Sequence, residues 1–204
     1  MRILDFRSNE LRSCSLEDIR ETAKLCEVLP NIDMVCSLGY PSEVPPQDEV
    51  IETVRAMYEN CSKPAALLAH DDIIQERMLN LIADMTGGWQ RMADTPVCLE
   101  LMGPISPLKL PEELCLRLIN CARWRIPAVC YPATFPGMSC PISTAGAIAQ
   151  SSAEAIAGIV VHQLTEPGAP RFLGSPKGHL RSARPRFAGE SAHCPSKRRR
   201  GRVT

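Results

Sequence analysis

The chain contains four short apolar runs that recur at nearly constant intervals. The runs begin at Met34, Ala65, Val97 and Ala128, at separations of 31, 32 and 31 residues. Each run is followed by a polar or proline-rich loop and then by apolar positions at helical spacing. Repeated strand–helix units of about 30 residues build parallel sheets, and the fold in which one helix follows every strand is the (β/α)₈ barrel. The pattern therefore predicts an α/β protein, a partial (β/α)₈ TIM barrel of about four to five βα units.

Apolar positions on one face, together with capping residues, place a helix beside each predicted strand. Ser15 and Asp18 form an N-terminal capping pattern for the first helix, which Pro30 ends. Pro111 suits the start of the fourth helix, and the acidic residues after it favour the helix dipole. The predicted strands cover residues 34–38, 65–69, 97–101 and 128–131, and the predicted helices cover about 15–29, 48–60, 72–85, from 111 onward and 144–164.

Charge is distributed unevenly along the 204 residues. Residues 1–170 carry 13 Lys and Arg against 22 Asp and Glu, whereas residues 171–204 carry 10 against 1. Beyond Pro170 no apolar period continues, and a segment rich in Arg, Ser, Pro and Gly does not bury enough surface to order itself. We therefore expect a partial barrel over residues 1–174 and a disordered Arg-rich tail over 175–204. A closed barrel typically needs about 250 residues, which is more than this chain contains.

Cysteine usage favours a reduced, cytoplasmic protein. None of the ten cysteines lies in a C-x-x-C pair, and no charged-then-apolar signal segment opens the chain. Several cysteines fall inside predicted strands and helices, where a free thiol acts as a small hydrophobic side chain. Metal ligation is the minority interpretation for them. No apolar stretch reaches the ~20 residues of a membrane helix, so we expect no membrane partner.

Short motifs rich in Pro, Gly and other small residues lie in the loops around the predicted strands and in the last predicted helix. In chain order they are Leu-Pro-Asn-Ile-Asp at 29–33, Ser-Leu-Gly-Tyr-Pro-Ser at 37–42, Val-Pro-Pro at 44–46, Pro-Ile-Ser-Pro-Leu at 104–108, the run 137–141, Thr-Ala-Gly-Ala at 144–147, Ala153, Glu154, Gly158 and Pro-Gly-Ala-Pro at 167–170. In this order and spacing, over about residues 13–170, the chain resembles the trimethylamine methyltransferase family.

The resemblance implies a specific reaction. Members of this family are (β/α)₈ barrels that move a methyl group from a methylated amine to the cobalt of a separate corrinoid protein. The implied substrate is trimethylamine or a quaternary amine such as glycine betaine. The implied cofactor is a corrinoid (cobalamin) carried by the partner protein, so no tightly bound cofactor is expected on this chain. Cobalt(I) would attack in line a methyl group that the barrel holds, while the enzyme supplies orientation and electrostatics.

Two departures from the family pattern affect this expectation. Family members are far longer, so the chain is expected to be an internal piece that begins at a fortuitous Met1 and is inactive in this truncated form. After Gly174 the resemblance gives way to the Arg-rich tail, and we interpret this change as a reading-frame shift in GC-rich coding sequence. Resequencing the gene tests this hypothesis, because restoring one base should recover barrel-like residues. Gly103 also stands where many relatives have an acidic residue, so no substrate contact is carried over there.

Five side chains near the carboxyl ends of the predicted strands suit a methylated amine. A quaternary ammonium ion has no N–H to donate, so aromatic faces and carboxylates recognise it. Tyr40, Tyr131 and Phe135 are the aromatic candidates for substrate binding. Glu100 is the acidic candidate, for substrate binding or catalysis. His70 is a candidate general acid or base.

Each of these residues also has a structural interpretation. Aromatic side chains beside a barrel mouth commonly serve packing. Glu100 lies inside an apolar run, where an unpaired carboxylate is costly, so it needs a protein partner or a cationic ligand. His70 equally suits a loop histidine hydrogen-bonded to Asp71, and Asp71 suits the N-terminus of the next helix.

Two other functions stay open at this point. The chain is compatible with another small-molecule enzyme whose fold shares the half-barrel. The basic run 197–202 would attract phosphate in a salt-dependent way, but without interleaved aromatic residues this nucleic-acid binding would be nonspecific. No specific nucleic-acid partner is therefore expected.

Overall fold

The structure is a computed structural model that describes residues 2–5, 8–37, 39–173 and 181–182. Apart from residues 181–182, the tail predicted to be disordered, 175–204, lies outside the described residues, as does the basic run 197–202. The strands are β1 (Arg2–Asp5), β2 (Glu10–Ser13), β3 (Val35–Cys36), β4 (Ala65–Leu67), β5 (Cys98–Met102), β6 (Ala128–Cys130), β7 (Arg171–Leu173) and β8 (Arg181–Ser182). The helices are α1 (Leu16–Val28), α2 (Glu49–Asn60), α3 (Asp72–Thr86), α4 (Trp89–Asp94), α5 (Glu112–Arg123) and α6 (Thr144–Thr165).

Strands β3 to β8 form one sheet in chain order. The first five strands, β3 to β7, are parallel to one another, and β8 is antiparallel to β7. At least one helix joins each neighbouring pair of parallel strands, because a parallel connection must cross from one end of the sheet to the other. The structure confirms the prediction of an α/β protein, with a five-stranded parallel sheet.

The helix starts follow the capping chemistry expected from the sequence. Ser15 Oγ accepts a hydrogen bond from the Asp18 N–H, and the Asp18 carboxylate accepts one from the Ser15 N–H at 2.8 Å. At the start of α3, Asp71 Oδ1 accepts the Ile74 N–H at 2.7 Å. Asp71 therefore caps a helix, which is one of the two roles expected for it.

The β1–β2 hairpin and helix α4 are not apparent in the apolar pattern. Leu4 pairs with Leu11 across the hairpin, and both side chains are mostly exposed, so no buried face marks these strands. Arg12 attaches the hairpin to α1, since its guanidinium lies 2.6 Å from Asp18 Oδ1. This contact holds the pKa of the Asp18 carboxyl well below its usual range. Polar contacts with α1 help to hold the hairpin in place.

The two faces of the sheet differ in what covers them. The helices pack on one side, where strand residues such as Val35 and Cys98 share a core with Leu79 and Leu118. The opposite side, here called the open face, carries a smaller apolar cluster of residues in or next to the strands. Side chains alternate between the two faces along each strand. The open-face cluster consists of Met34, Ala66, Leu99, Leu101, Val129, Tyr131 and Phe172.

Helix α6 makes a close approach to the sheet at Gly158. A Cβ atom at this position would lie 2.4 Å from Cys130 Sγ, so the approach requires glycine. Among the described helices, α6 alone is long and apolar enough to cross a membrane by length and composition, with a mean hydropathy of 1.3. Core helices of globular proteins meet the same criterion, and α6 contacts β6, β7 and α5 as the covering helix of a βα unit does.

Candidate functional site

The loops that follow β3, β4, β5 and β6 leave the sheet at one shared edge, here called the rim. Parallel strands run in one direction, so their carboxyl ends meet, and this edge carries the ligand sites of barrels and open α/β sheets. Four of the predicted site residues lie on rim loops, namely Tyr40, His70, Tyr131 and Phe135. The fifth, Glu100, lies inside β5.

Tyr40 and His70 are in direct contact at the rim. Their ring centroids are 4.7 Å apart in an edge-on arrangement. The Tyr40 hydroxyl donates a hydrogen bond to the Leu68 carbonyl at 2.5 Å, and burial raises the pKa of this phenol to about 12. His70 Nε2 lies 2.7 Å from Glu49 Oε1, at the start of α2. The partner of His70 is thus Glu49, whereas the alternative expected from the sequence was Asp71.

A small apolar cavity lies beside Tyr40, between the ends of β3 and β4 and helix α2. Its volume is about 180 Å³, and its lining includes Cys36, Met57 and Leu101. Thr53 also lines it, and within the described ranges the buried Thr53 hydroxyl has no hydrogen-bond partner. Larger hollows, of about 490 and 730 Å³, lie beside the hairpin and at the opposite edge of the sheet, and their described lining residues include none from the rim loops.

Glu100 faces the helices and not the open face. Its carboxylate is fully buried and accepts a hydrogen bond from Gln75 Nε2. Cys121 Sγ lies at 3.2 Å from one carboxylate oxygen and Arg117 Nη1 at 3.4 Å from the other. Burial raises the pKa of this carboxyl above its ordinary value. The sequence required a partner or a cationic ligand for Glu100, and the structure provides protein partners in a buried network. A role of Glu100 in substrate binding or catalysis stays a prediction.

This network extends to the rim through Arg117. Arg117 Nη1 donates to the Ala69 carbonyl at 2.6 Å, immediately before His70. Gln75 Nε2 also donates to the Arg117 carbonyl at 3.1 Å, which ties α3 to α5. Glu100 therefore supports, through Arg117, the loop that carries His70.

Tyr131 and Phe135 lie on the loop after β6, which is two strands from β4 and three strands from β3, the strands that precede His70 and Tyr40. Tyr131 is half-buried in the open-face cluster, and its N–H donates to the Met102 carbonyl at 2.9 Å. Gly103 makes this close approach possible, because a Cβ there would lie 2.2 Å from the Tyr131 carbonyl oxygen. Phe135 is 60% exposed, and its N–H donates to Ser139 Oγ at 3.0 Å.

The buried thiols of the sheet do not favour nucleophilic chemistry. The nine cysteines in the described ranges are free. Burial raises the pKa of Cys98 and of Cys130 to about 12, so both stay protonated at neutral pH, and the thiolate is the reactive form. Those same ranges contain no group of three His, Cys, Asp or Glu side chains placed to hold a metal ion.

Comparison with known proteins assigns this arrangement to a family. Residues 3–192 match the family model described as "Trimethylamine methyltransferase (MTTB)". The chain belongs to the trimethylamine methyltransferase family. The family resemblance found in the sequence motifs is thereby confirmed.

Curated relatives match the trimethylamine methyltransferase segment over most of this chain. Trimethylamine methyltransferase MttB of Desulfitobacterium hafniense is 25% identical over 173 residues, which cover 85% of this chain and 35% of that protein. Trimethylamine methyltransferase MttB of Methanosarcina barkeri is 31% identical over 165 residues, which cover 78% of this chain and 32% of that protein. Glycine betaine methyltransferase of Desulfitobacterium hafniense is 25% identical over 165 residues, which cover 80% of this chain and 34% of that protein. The chain spans about a third of the length of these relatives.

One acidic residue of the family motifs, Glu154, has a position that sequence reasoning did not assign. It lies on α6, is 1% exposed, and accepts the Ser106 hydroxyl at 2.6 Å and the Leu108 N–H at 2.9 Å. The one acidic residue in a helix rich in small and apolar residues needs polar partners if it is buried, and this was the available signal. The same argument drew attention to Glu100.

Proposed function

We propose that this chain forms part of a methyltransferase that moves a methyl group from a methylated amine to a corrinoid protein. The observation that carries the proposal is the family match over residues 3–192. Relatives named for trimethylamine and for glycine betaine support a methylated amine, tertiary or quaternary, as the substrate class.

The proposal includes a closed (β/α)₈ barrel as the working architecture. Five parallel strands with helices on one side, and an apolar cluster on the open face, support it. In a closed barrel the open face becomes a packed interior, and the rim becomes the mouth of the active site. Alone, this chain leaves Leu101 and Tyr131 of that face partly exposed to water, so we propose that it is inactive in isolation.

Aromatic residues of the rim are proposed to bind the amine. A methylated ammonium group is attracted to the face of an aromatic ring within about 6 Å of the ring centre. Tyr40, Tyr131 and Phe135 are the residues proposed for this contact. Tyr40 is held by its hydrogen bond to Leu68, and its high pKa keeps the phenol neutral.

His70 is proposed as the general acid or base that donates or accepts the proton at the amine nitrogen. When a tertiary amine loses a methyl group, the nitrogen that leaves must carry a proton, whereas a quaternary amine leaves as a neutral tertiary amine without one. Glu49 fixes the orientation of the His70 ring for this role. The corrinoid, carried by its own protein in the cytoplasm, supplies the nucleophile that accepts the methyl group.

A methyl-transfer assay tests the proposed function. A version of the protein extended to the length of its relatives is incubated with reduced corrinoid protein and a panel of methylated amines, and methylation of cobalamin is followed by absorbance. We expect transfer from at least one amine, and the 204-residue chain serves as the comparison. Absence of transfer with every amine and with each candidate corrinoid protein would contradict the proposal.

A further inference from the structure

Two polar residues one turn apart on α6 contact two neighbouring rim loops. We call Gln150 and Glu154 the α6 clamp, residues 103–111 loop A and residues 131–143 loop B. Glu154 accepts two hydrogen bonds from loop A, at Ser106 and Leu108. Gln150 Nε2 donates to the Ser139 carbonyl of loop B at 2.7 Å and to Glu154 Oε1 at 2.8 Å. The clamp thus joins loop A to loop B through one pair of side chains.

The contact with loop A holds a backbone conformation that side chains rarely adopt. Leu108 has φ of 54°, in the left-handed region that a branched, non-glycine residue avoids at a cost of about 1 kcal/mol or more. Its N–H is the group that Glu154 accepts. Hydrogen bonds to a charged acceptor are stronger than neutral ones, and removing the acceptor from a buried position leaves the donor unpaired. Glu154 therefore stabilises the turn of loop A at the residue where the strain lies.

The contact with loop B reaches the backbone of an exposed aromatic residue. Gln150 fixes the Ser139 carbonyl, and Ser139 Oγ in turn accepts the Phe135 N–H. One residue from Phe135, the Thr134 and Ser151 hydroxyls lie 2.7 Å apart, so α6 contacts this loop twice. Contacts from α6 therefore help to hold Phe135 at the rim, together with the turn of loop B in which the Ser139 N–H donates to the Phe135 carbonyl at 3.0 Å, although Phe135 itself is mostly exposed.

We propose that Glu154 is a positioning residue that holds loops A and B in one arrangement, so that the aromatic residues of loop B keep their place for the methylated amine. This rests on the proposed function for its catalytic consequence. The coupling of the two loops stands on the hydrogen bonds alone and is measured separately.

Amide hydrogen exchange in the full 204-residue chain tests the coupling. In Glu154→Ala we expect the Leu108 amide to exchange about 10- to 100-fold faster, which corresponds to the loss of one hydrogen bond to a charged acceptor. We expect exchange of the Phe135 amide to accelerate as well, because Gln150 loses one of the two acceptors that hold its side chain. Glu154→Gln retains an acceptor oxygen and should restore most of the protection. Glu166→Ala, at the exposed residue directly after the end of α6, is the matched control and should leave exchange of both amides unchanged.

Two further measurements make each outcome decisive. The Leu79 and Leu118 amides of the core report global opening, and the ratio of loop to core exchange is compared if Glu154→Ala is less stable. Gln150→Ala, which leaves the loop A contacts in place, should accelerate Phe135 much more than Leu108. The coupling would be overturned if exchange of the Leu108 amide is unchanged in Glu154→Ala. It would also be overturned if exchange of the Leu108 amide accelerates in that variant while exchange of the Phe135 amide does not.

The catalytic consequence is tested in the methyl-transfer assay with the extended protein. We expect Glu154→Ala to raise KM for the amine at least several-fold and Glu154→Gln to recover it, with Glu166→Ala as the control. If the wild type transfers methyl groups and Glu154→Ala keeps its KM, the positioning role is refuted. If the wild type transfers none, the proposed function fails while the exchange measurements still decide the coupling.

Discussion

Replacing His162 should change how the stability of this protein depends on pH. His162 lies on α6 and is 1% exposed, and within the described ranges its Nε2 atom has no hydrogen-bond partner. Burial lowers its pKa from 6.5 to about 4. Between these two values the unfolded chain binds a proton that the folded chain does not bind, so the free energy of unfolding falls as the pH is lowered.

The size of the effect follows from the two pKa values. At pH 7.5 neither state binds the proton, and the full stability is present. At pH 5 the difference in proton binding lowers the free energy of unfolding by about 2 kcal/mol, and below pH 4 the loss approaches about 3 kcal/mol. Glu100 has a raised pKa and contributes with the opposite sign, so the comparison is made between the wild type and His162→Leu, which share Glu100.

Urea unfolding followed by circular dichroism at pH 7.5, 6.5, 5.5 and 5.0 provides the measurement. Between pH 7.5 and 5.0 the free energy of unfolding of the wild type should fall by about 2 kcal/mol more than that of His162→Leu, with similar m-values for both proteins. His162→Phe serves as a second variant if the leucine is poorly accommodated. Parallel pH profiles for the wild type and both variants would refute the reasoning.

Three further predictions concern the network and the rim. Glu100→Ala should lower the free energy of unfolding in urea by about 3–5 kcal/mol, because it leaves the Arg117 guanidinium without its carboxylate. The double variant with Arg117→Ala should lose less than the sum of the two single variants, and additive losses would contradict the pairing. Tyr40→Phe keeps the ring but lacks the hydroxyl, so it should leave KM for the amine unchanged and lower the free energy of unfolding by about 1 kcal/mol. Tyr40→Leu lacks the ring and should raise KM about 2- to 30-fold. Equal KM values for the two variants would argue against an aromatic contact. Gly103→Ala should lower stability by about 1–3 kcal/mol in thermal unfolding, and an unchanged melting temperature would show that the Tyr131 carbonyl yields easily.

The elements that follow from local sequence were predictable. Strands β4 and β6 lie within the predicted runs, β5 is displaced by one residue to Cys98–Met102, and α1 begins at its capping residues, because local periodicity and capping specify these elements. Strand β3 is shorter than predicted, with pairing limited to Val35 and Cys36. The hairpin was missed because it has neither a buried face nor a glycine turn.

The site was predictable in its location but not in its pairings. That the strand ends meet at one edge follows from the βα repeat, so the positions of Tyr40 and His70 at a common rim could be expected. The pairing of His70 with Glu49, 21 residues away, depends on how α2 lies against the sheet. The direction of Glu100 could not be read either, because β5 is apolar on both faces and its alternation does not identify the face covered by helices.

The close approach at Gly158 ties mutations in the core to the shape of the rim. Gly158 is one helical turn beyond Glu154, so any side chain added at Gly158 would push against Cys130 and shift the segment of α6 that fixes both loops. A larger residue at 158 should be tolerated only with a smaller one at 130. Homologues with a different residue at 158 or at 130 should therefore show a compensating change at the other position. Selection for suppressors of a destabilising Gly158 substitution should recover replacements of Cys130.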